Sequence, residues 1–294
     1  MSNGVGIQIK KRDGSVEPLD INKIHFVVEE ATEGLTGTSA SQIEMTANIQ
    51  FYDGMSTEEI QEILIKSAND LITLENPNYQ YAAARLLLYP IYKETFGQYN
   101  PVPITKIIDR NIAGGVYDAN IKEKYTETEL KQLNKYIKHN RDENFTYAGL
   151  RQIVDKYLVQ DRSTGEIYES PQVMYMMIAA TLFADYPKET RMSYVRKYYD
   201  ATSLFKINIP TPVMAGVRTP LRQFASCVLV DTDDTLDSIF SSDMAIGRYT
   251  AQRAGIGINA GRIRAINSKI RGCEVAHTGL IPFLKKFEST VRCC

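Results

Sequence analysis

The sequence predicts a mixed fold in successive parts, of the α+β type at the start and of the α/β type at the end. Alternation of apolar and polar residues over 5–10, followed by the Asp13-Gly14 turn, predicts a β-hairpin. Helical spacing of apolar residues dominates the long middle of the chain. Near the end, apolar segments at 224–230 and 256–260 flank a helical segment, which is the strand–helix–strand unit of a parallel sheet.

The composition is that of a soluble globular protein. Its 294 residues are enough for about two domains, and 44% hydrophobic with 23% charged residues exclude a disordered chain. A net charge of −1 argues against a nucleic-acid or anionic-membrane surface, and the longest apolar run, 174–184, is too short to span a bilayer. Four cysteines and three scattered histidines predict free thiols in the cytoplasm, and no protein-built metal site.

Residues 1–95 are predicted to form a hairpin followed by a cluster of helices. Asp20 is a candidate cap for the first helix, and Ser56 with Glu59 forms a capping box for a later one. The helix expected from about residue 79 to 96 contains Pro90, which predicts a kink or an end.

Basic residues surround the hairpin turn. Lys10, Lys11 and Arg12 precede it, and Lys23 lies in the first helix. Such a cluster beside a helix N-terminus can hold a polyphosphate, because cations and free backbone N–H groups both face the anion. A solvated charged turn is the alternative that the residues alone leave open.

Residues 96–222 are predicted to be mainly helical. A Pro- and Gly-containing linker covers 97–103, and Thr126 with Glu129 forms another capping box. The chain is expected to be extended around Pro210 and Pro212, since the residue before a proline avoids the helical region.

Residues 223–294 carry the candidate parallel strands. Cys227 lies in the first, which looks buried, and Asp234 is expected to begin the helix that follows. A single buried cysteine is either inert packing or a reactive thiol. The glycines of 255–261 indicate either a strand edge that a ligand can approach or a softened strand start.

An acidic run follows the first of these strands. Its residues resemble a metal-binding group, but helix capping and solvation explain most such runs. They are Asp231, Asp233, Asp234 and Asp237.

An ordered set of motifs resembles one family closely, the large catalytic subunit of class I ribonucleotide reductase. The motifs are 11–14 (KRDG), 49–54 (IQFYDG), 79–86 (YQYAAARL), 157–159 (YLV), 165–169 (GEIYE), 204–207 (LFKI), 210–214 (PTPVM), 222–229 (RQFASCVL) and 252–264 (QRAGIGINAGRIR). The resemblance covers essentially the whole chain.

The resemblance implies three domains. Residues 1–95 are expected to be an ATP cone that senses ATP against dATP, and 96–222 a helical domain. Residues 223–294 are expected to be the first strands of an incomplete ten-stranded α/β barrel with a dNTP specificity site. The cone residues implied to hold nucleotide are Lys11, Glu17, Lys23, Thr57 and Lys93.

Two positions depart from the pattern of the bacterial members. Gln61 stands where a ring-contacting histidine is common, and Asp20 stands where asparagine is common. An added negative charge near the phosphates opposes binding. We therefore expect weak or absent dATP inhibition.

The implied chemistry is radical-based reduction of ribonucleoside diphosphates to deoxyribonucleoside diphosphates. Cys227 is implied to be one of a pair of cysteines that supply two electrons and become a disulfide. The implied substrate-binding residues are Thr211, Ser226, Ala254 and Gly255. The implied effector-binding residues of the specificity site are Asp234, Leu236, Arg264 and Arg271.

The resemblance also implies partners. A small diiron subunit is expected to supply the radical, a second copy of the large subunit to complete the specificity site, and thioredoxin or glutaredoxin to act as reductant. The expected ligands are nucleoside diphosphates as substrates and magnesium-bound ATP or dNTP as effectors. No metal held by this chain, no nucleic acid and no membrane are expected. The expected location is the cytoplasm, that of the host cell if a phage encodes the chain.

The family's radical cysteine, in an Asn-x-Cys-x-Glu stretch, is not found in these residues. The chain therefore resembles the first piece of the split large subunit of T4-like bacteriophages, and we expect it to need a C-terminal polypeptide for activity. The alternative is a stand-alone nucleotide-sensing module or a dimer-interface fragment with no catalysis.

Overall fold

The computed structural model describes residues 7–270, 272 and 275–294. These residues divide into two compact units. The first comprises the described residues up to Asn208 together with Arg218–Pro220, and the second comprises Ile209–Val217 and Leu221–Cys294. The predicted order of a hairpin, a helical stretch and a strand–helix–strand unit is confirmed.

The first unit begins with an antiparallel hairpin of strands β1 (Gln8–Lys10) and β2 (Val16–Pro18). As predicted, Asp20 caps the first helix, and Ser56 with Glu59 forms the capping box of the third. The four helices that follow the hairpin are α1 (Ile21–Thr32), α2 (Ala40–Asn48), α3 (Thr57–Asp70) and α4 (Tyr79–Phe96).

Helix α4 continues past Pro90, so the alternative prediction that the helix ends at this proline is wrong. Pro90 has no N–H, and the carbonyl of Leu86, four residues earlier, therefore lacks its helical donor. Gln61 of α3 supplies the missing donor, because its Nε2 lies 2.8 Å from the Leu86 carbonyl oxygen. Leu86 is fully buried, where a carbonyl without a donor is costly. This hydrogen bond between helices compensates for a proline in the helix interior.

The rest of the first unit is helical, as expected. The capping box predicted at Thr126 and Glu129 is confirmed. Helix α9 (Pro171–Leu182) is buried along almost its whole length, which makes it the centre of the unit. The elements are α5 (Ile104–Ala113), α6 (Asn120–Lys124), α7 (Glu127–Tyr136), a 3₁₀ turn (His139–Asn144), α8 (Tyr147–Gln152), a π turn (Ile153–Tyr157), α9 (Pro171–Leu182) and α10 (Lys188–Ser203).

A fully buried ion pair joins distant segments of the first unit. The Nε of Arg218 donates to both carboxylate oxygens of Glu169, over 3.0 and 2.8 Å, and its Nη2 donates to the Tyr157 carbonyl over 2.9 Å. Glu169 also accepts from the Tyr117 hydroxyl at 2.5 Å and from the Val159 N–H at 2.8 Å. Removing one partner of such a pair leaves an uncompensated buried charge, which costs about 3–5 kcal/mol.

A second buried carboxylate, Asp142, lies in the 3₁₀ turn. It accepts from the Tyr92 hydroxyl of α4 at 2.8 Å and from Nε2 of Gln172 of α9 at 2.9 Å. Burial raises the pKa of Asp142 to about 7. Burial also lowers the pKa of the neighbouring His139 to about 4, so this histidine is neutral at physiological pH.

The second unit contains the parallel pair of strands. Strands β3 (Cys227–Asp231) and β4 (Gly255–Asn259) are connected by α12 (Leu236–Ala251). The apolar cluster beside them includes Ile239, Ile246 and Phe287. Strand β3 begins three residues later than the apolar segment predicted. The elements are α11 (Thr211–Gly216), β3 (Cys227–Asp231), α12 (Leu236–Ala251), β4 (Gly255–Asn259), β5 (Lys269–Ile270), β6 (Val275–Ala276) and α13 (Ile281–Cys293).

The Gln61 hydrogen bond can be tested by a double-mutant cycle. Gln61→Leu leaves the buried Leu86 carbonyl without a donor, so we expect it to lower the free energy of unfolding by about 1–3 kcal/mol. In a Pro90→Ala background the backbone supplies an N–H, and the same substitution should cost less than about 1 kcal/mol. Urea denaturation of the four proteins measures both values. Equal costs in the two backgrounds would show that Gln61 does not compensate for Pro90.

The buried Asp142 predicts an unusual pH dependence of stability. Between about pH 4, where an ordinary carboxyl titrates, and about pH 7, the folded protein keeps a proton on Asp142 that the unfolded chain has lost. The contribution of Asp142 to stability therefore falls as pH rises through this window. Asp142→Asn removes this loss, and the hydroxyl of Tyr92 can donate to the His139 carbonyl at 3.2 Å instead.

As pH rises within this window, we expect the free energy of unfolding of Asp142→Asn to increase relative to that of the wild type by about 1.4 kcal/mol per pH unit. Urea denaturation between pH 5 and pH 8 measures the difference. The control is Asp155→Asn, an exposed carboxylate paired with Arg151. Parallel pH profiles for Asp142→Asn and wild type would contradict the prediction.

Candidate functional site

The parallel pair β3–β4 brings a thiol and a glycine backbone together. Cys227 lies opposite Gly255, and the Gly255 N–H donates to the Ser226 carbonyl over 2.8 Å. The Ser226 hydroxyl donates to the Cys227 Sγ over 3.9 Å. Cys227 is exposed, so the expectation of a buried strand position is wrong. Alternate residues of a strand share a face, and Cys227 therefore shares the open face of β3 with Leu229, which is 88% exposed.

The residues expected to bind substrate lie in this unit. Ala254 is buried directly before β4, and its N–H donates to the Tyr249 carbonyl over 3.0 Å. Ser226, Ala254 and Gly255 are thus gathered at the starts of β3 and β4, next to Cys227. Thr211 is exposed at the first position of α11.

The two glycines of β4 differ in what a side chain at each position would contact. A Cβ at Gly257 would lie 2.8 Å from the Leu229 Cδ2, so the Leu229 side chain occupies the space that a larger residue would need. A Cβ at Gly255 would make only an ordinary contact, 3.5 Å from the Ser226 carbonyl oxygen. Leu229 is exposed and the end of its side chain can turn aside, so packing does not require glycine at position 257; Gly255 leaves the backbone beside Cys227 uncovered.

Two of the expected effector residues contact each other directly. The carboxylate of Asp234 accepts from the Arg264 backbone N–H at 2.9 Å and from its Nε at 2.6 Å. The backbone hydrogen bond, with help from the guanidinium, holds the pKa of Asp234 below its ordinary value. Leu236 is 59% exposed at the first position of α12. Arg271 lies outside the described residues.

The expectation that Asp234 begins α12 is wrong. Thr235 caps the helix, since its hydroxyl accepts from the Ser238 N–H over 3.2 Å. The carboxylate of Asp234 is instead taken by Arg264. Asp234 and Thr235 are adjacent, and both are residue types that cap helices. The sequence alone does not show which of them caps α12 and which pairs with the arginine.

Arg262 is a further member of this charged group, and the sequence pattern did not single it out. Its Nη1 lies 3.0 Å from Oδ2 of Asp231 and 2.8 Å from Oδ1 of Asp233. The acidic run after β3 is therefore largely paired with arginines that follow β4. The available signal was the Arg-x-Arg spacing at 262–264, which places two cations at the same edge of a parallel pair.

The residues expected to hold nucleotide in the cone are partly brought together. Glu17 of β2 lies between two lysines, with its Oε2 2.6 Å from the Lys11 Nζ and its Oε1 3.5 Å from the Lys23 Nζ. The hydrogen bond from Lys11 holds the pKa of Glu17 below its ordinary value. Two lysines of the predicted polyphosphate cluster are therefore already paired through one carboxylate, and Arg12 of the same cluster pairs with Glu58, with its Nε 2.8 Å from the Glu58 Oε1.

The other two cone residues lie on helices. Thr57 is the first residue of α3, and the Lys10 N–H donates to the Met55 carbonyl over 2.9 Å, which ties the hairpin to this helix N-terminus. The Nζ of Lys93 lies 5.5 Å from the centre of the Tyr99 ring. Among the described residues, no hydrogen bond or ion pair joins Lys93 to the other four.

The described residues lack both a metal-binding cluster and a membrane-spanning helix. They contain no group of three or more His, Cys, Asp or Glu side chains placed to hold a metal ion. None of their helices is both long enough and apolar enough to cross a membrane.

Family models match successive parts of the chain. An ATP cone domain matches residues 7–94, a ribonucleotide reductase all-alpha domain matches 143–222, and a ribonucleotide reductase barrel domain matches 225–294. The described hairpin and helices α1–α4 lie in the first match. The strands that carry Cys227 and Gly255 lie in the third.

Curated relatives match almost the whole chain. Ribonucleoside-diphosphate reductase 1 subunit alpha of Escherichia coli is 52% identical over 286 residues, which are 97% of this chain and 38% of that protein. The corresponding subunit alpha of Haemophilus influenzae is 50% identical over 98% of this chain and 38% of its own. That of Enterobacteria phage T4 is 44% identical over 98% of this chain and 38% of its own.

The chain thus spans 38% of the length of these relatives. Its three matched domains follow one another in the order that the motifs predicted. The chain therefore belongs to the ribonucleotide reductase family, and it corresponds to the N-terminal part of the class I large subunit.

Proposed function

We propose that this chain contributes one redox-active cysteine and the effector sites to a ribonucleoside-diphosphate reductase. The observation that carries the proposal is the exposed Cys227 thiol at the start of a parallel strand, beside the bare backbone of Gly255. An exposed thiol can take part in thiol–disulfide exchange, which a buried structural cysteine cannot. The relatives named above are reductases of this kind, and their name supports the substrate class.

The proposed reaction balances with two thiols. The 2′-hydroxyl of the ribose leaves as water, C2′ gains a hydrogen, and two cysteines lose two electrons and two protons to form a disulfide. Cys227 is one of these cysteines, and the other lies in the remaining sequence of the large subunit. The hydroxyls of Thr211 and Ser226 hydrogen-bond the ribose or the diphosphate, and the backbone of Ala254 and Gly255 lies against the base.

The proposed regulation uses two nucleotide sites. In the cone, which we assign to residues 1–95, Lys11, Lys23 and Lys93 face the phosphates of magnesium-bound ATP or dATP, with Glu17 and Thr57 completing the site. A helical domain covers 96–222. In the barrel part, 223–294, the specificity site binds a dNTP through the residues Asp234, Leu236, Arg264 and Arg271.

The proposed partners follow from the family. They are a small diiron subunit that supplies the radical, a second copy of the large subunit, and a reductant of the thioredoxin or glutaredoxin type. The remaining large-subunit sequence acts with this chain. Nucleoside diphosphates are the substrates.

The cysteine assignment is tested by Cys227→Ser in the assembled reductase. We expect multi-turnover reduction with a dithiol reductant to be lost while nucleoside-diphosphate binding is retained, because serine keeps the size of the side chain but cannot form a disulfide. Product formation and equilibrium binding of labelled diphosphate measure the two properties. The control is Cys293→Ser, another exposed thiol. Wild-type turnover of Cys227→Ser would show that Cys227 is not one of the redox-active cysteines.

The cone assignment is tested by Lys11→Ala. Removing one charge-assisted contact to a phosphate should weaken ATP binding by about tenfold. Isothermal titration of the full chain with magnesium-bound ATP measures the affinity. Lys131→Ala is the matched control, because Lys131 is an exposed lysine paired with Glu127 on its own helix. Equal ATP affinities for wild type and Lys11→Ala would remove Lys11 from the site.

A further inference from the structure

Arg262 links the loops that follow the two parallel strands. A single nitrogen, Nη1, makes both of its contacts, to Asp231 at 3.0 Å and to Asp233 at 2.8 Å. All three side chains are more than half exposed. Ion pairs between exposed side chains contribute little to folding stability, because water and salt screen them. Their effect here is on the geometry of the two loops.

The segment after β4 is held at three successive residues. Arg262 pairs with Asp231 and Asp233, Ile263 is 6% exposed in the apolar cluster, and Arg264 pairs with Asp234. The carboxylates lie at the last residue of β3, Asp231, and in the loop that follows it. Loss of the Arg262 contacts leaves the segment held at two of its three points.

We propose that Arg262 is a positioning residue of the effector site, which fixes the loop after β4 so that Arg264 meets the effector in the correct place. This inference rests on the proposed function, in which Asp234 and Arg264 belong to the dNTP specificity site. Arg262 itself does not touch the effector. A supporting residue of this kind sets binding affinity through the geometry of its neighbour.

If Arg262 instead bound the effector phosphates directly, one double substitution would have the opposite effect on effector affinity. Replacing Asp231 and Asp233 by asparagine removes two negative charges and frees the guanidinium. A phosphate ligand would then bind the anionic effector more tightly. A positioning residue would lose its anchors, and the effector would bind more weakly.

The test measures equilibrium binding of radiolabelled dTTP to the large subunit that contains this chain. We expect Arg262→Ala and the double variant Asp231→Asn/Asp233→Asn each to weaken binding by about tenfold. Asparagine at 231 can still accept from the Asn259 amide, so that contact is kept. Arg262→Lys should bind dTTP as the wild type does. One lysine ammonium can make both contacts, to Asp231 and to Asp233, that the single guanidinium nitrogen makes. Melting temperatures should match that of the wild type.

The control is Arg292→Ala, an exposed arginine paired with Glu288 on its own helix, which should bind dTTP as the wild type does. Tighter binding by the double variant, or unchanged binding by Arg262→Ala, would overturn the positioning role while leaving the effector site in place. Failure of the unmodified subunit to bind dTTP would overturn both the proposed effector site and this inference.

Discussion

The parallel pairing of β3 with β4 is the constraint on which the candidate site depends. Parallel strands cannot be joined by a tight turn, so α12 must carry the chain back along the sheet. Both strands then begin at one edge and end at the other. Cys227 and Gly255 lie at the starts of the two strands, and Asp234 and Arg264 follow their ends. One pairing thus creates a thiol site and a separate charged site at opposite edges of the same two strands.

The sequence predicted the local features of the fold well, because each depends on neighbouring residues. The caps at Asp20, Ser56 and Thr126 are examples, since the capping side chain and its backbone partner lie within one helical turn. The passage of α4 past Pro90 could not be predicted in this way. It depends on Gln61, which reaches Leu86 from another helix, and sequence spacing does not indicate such a contact.

In the candidate site, too, some features were predicted from the sequence and others depend on contacts between distant residues. Motif resemblance predicted that Asp234 and Arg264 belong together, and the structure joins them by two hydrogen bonds. The exposure of Cys227 was missed because an apolar segment looks the same whether one or both faces of its strand are covered. The pairing of Arg262 was missed because its partners lie about thirty residues away along the chain, a separation that only the parallel register brings close.

The buried pair of Arg218 and Glu169 has a consequence for dissecting the protein into fragments. The chain enters the second unit after Asn208 but returns to the first for Arg218–Pro220. A fragment that stops at Asn208 would contain Glu169 without its guanidinium partner, together with a Tyr117 hydroxyl still directed at the carboxylate. A fragment extended through Pro220 keeps the pair. The first unit is therefore best isolated with residues 209–220 attached, although residues 209–217 cluster with the second unit.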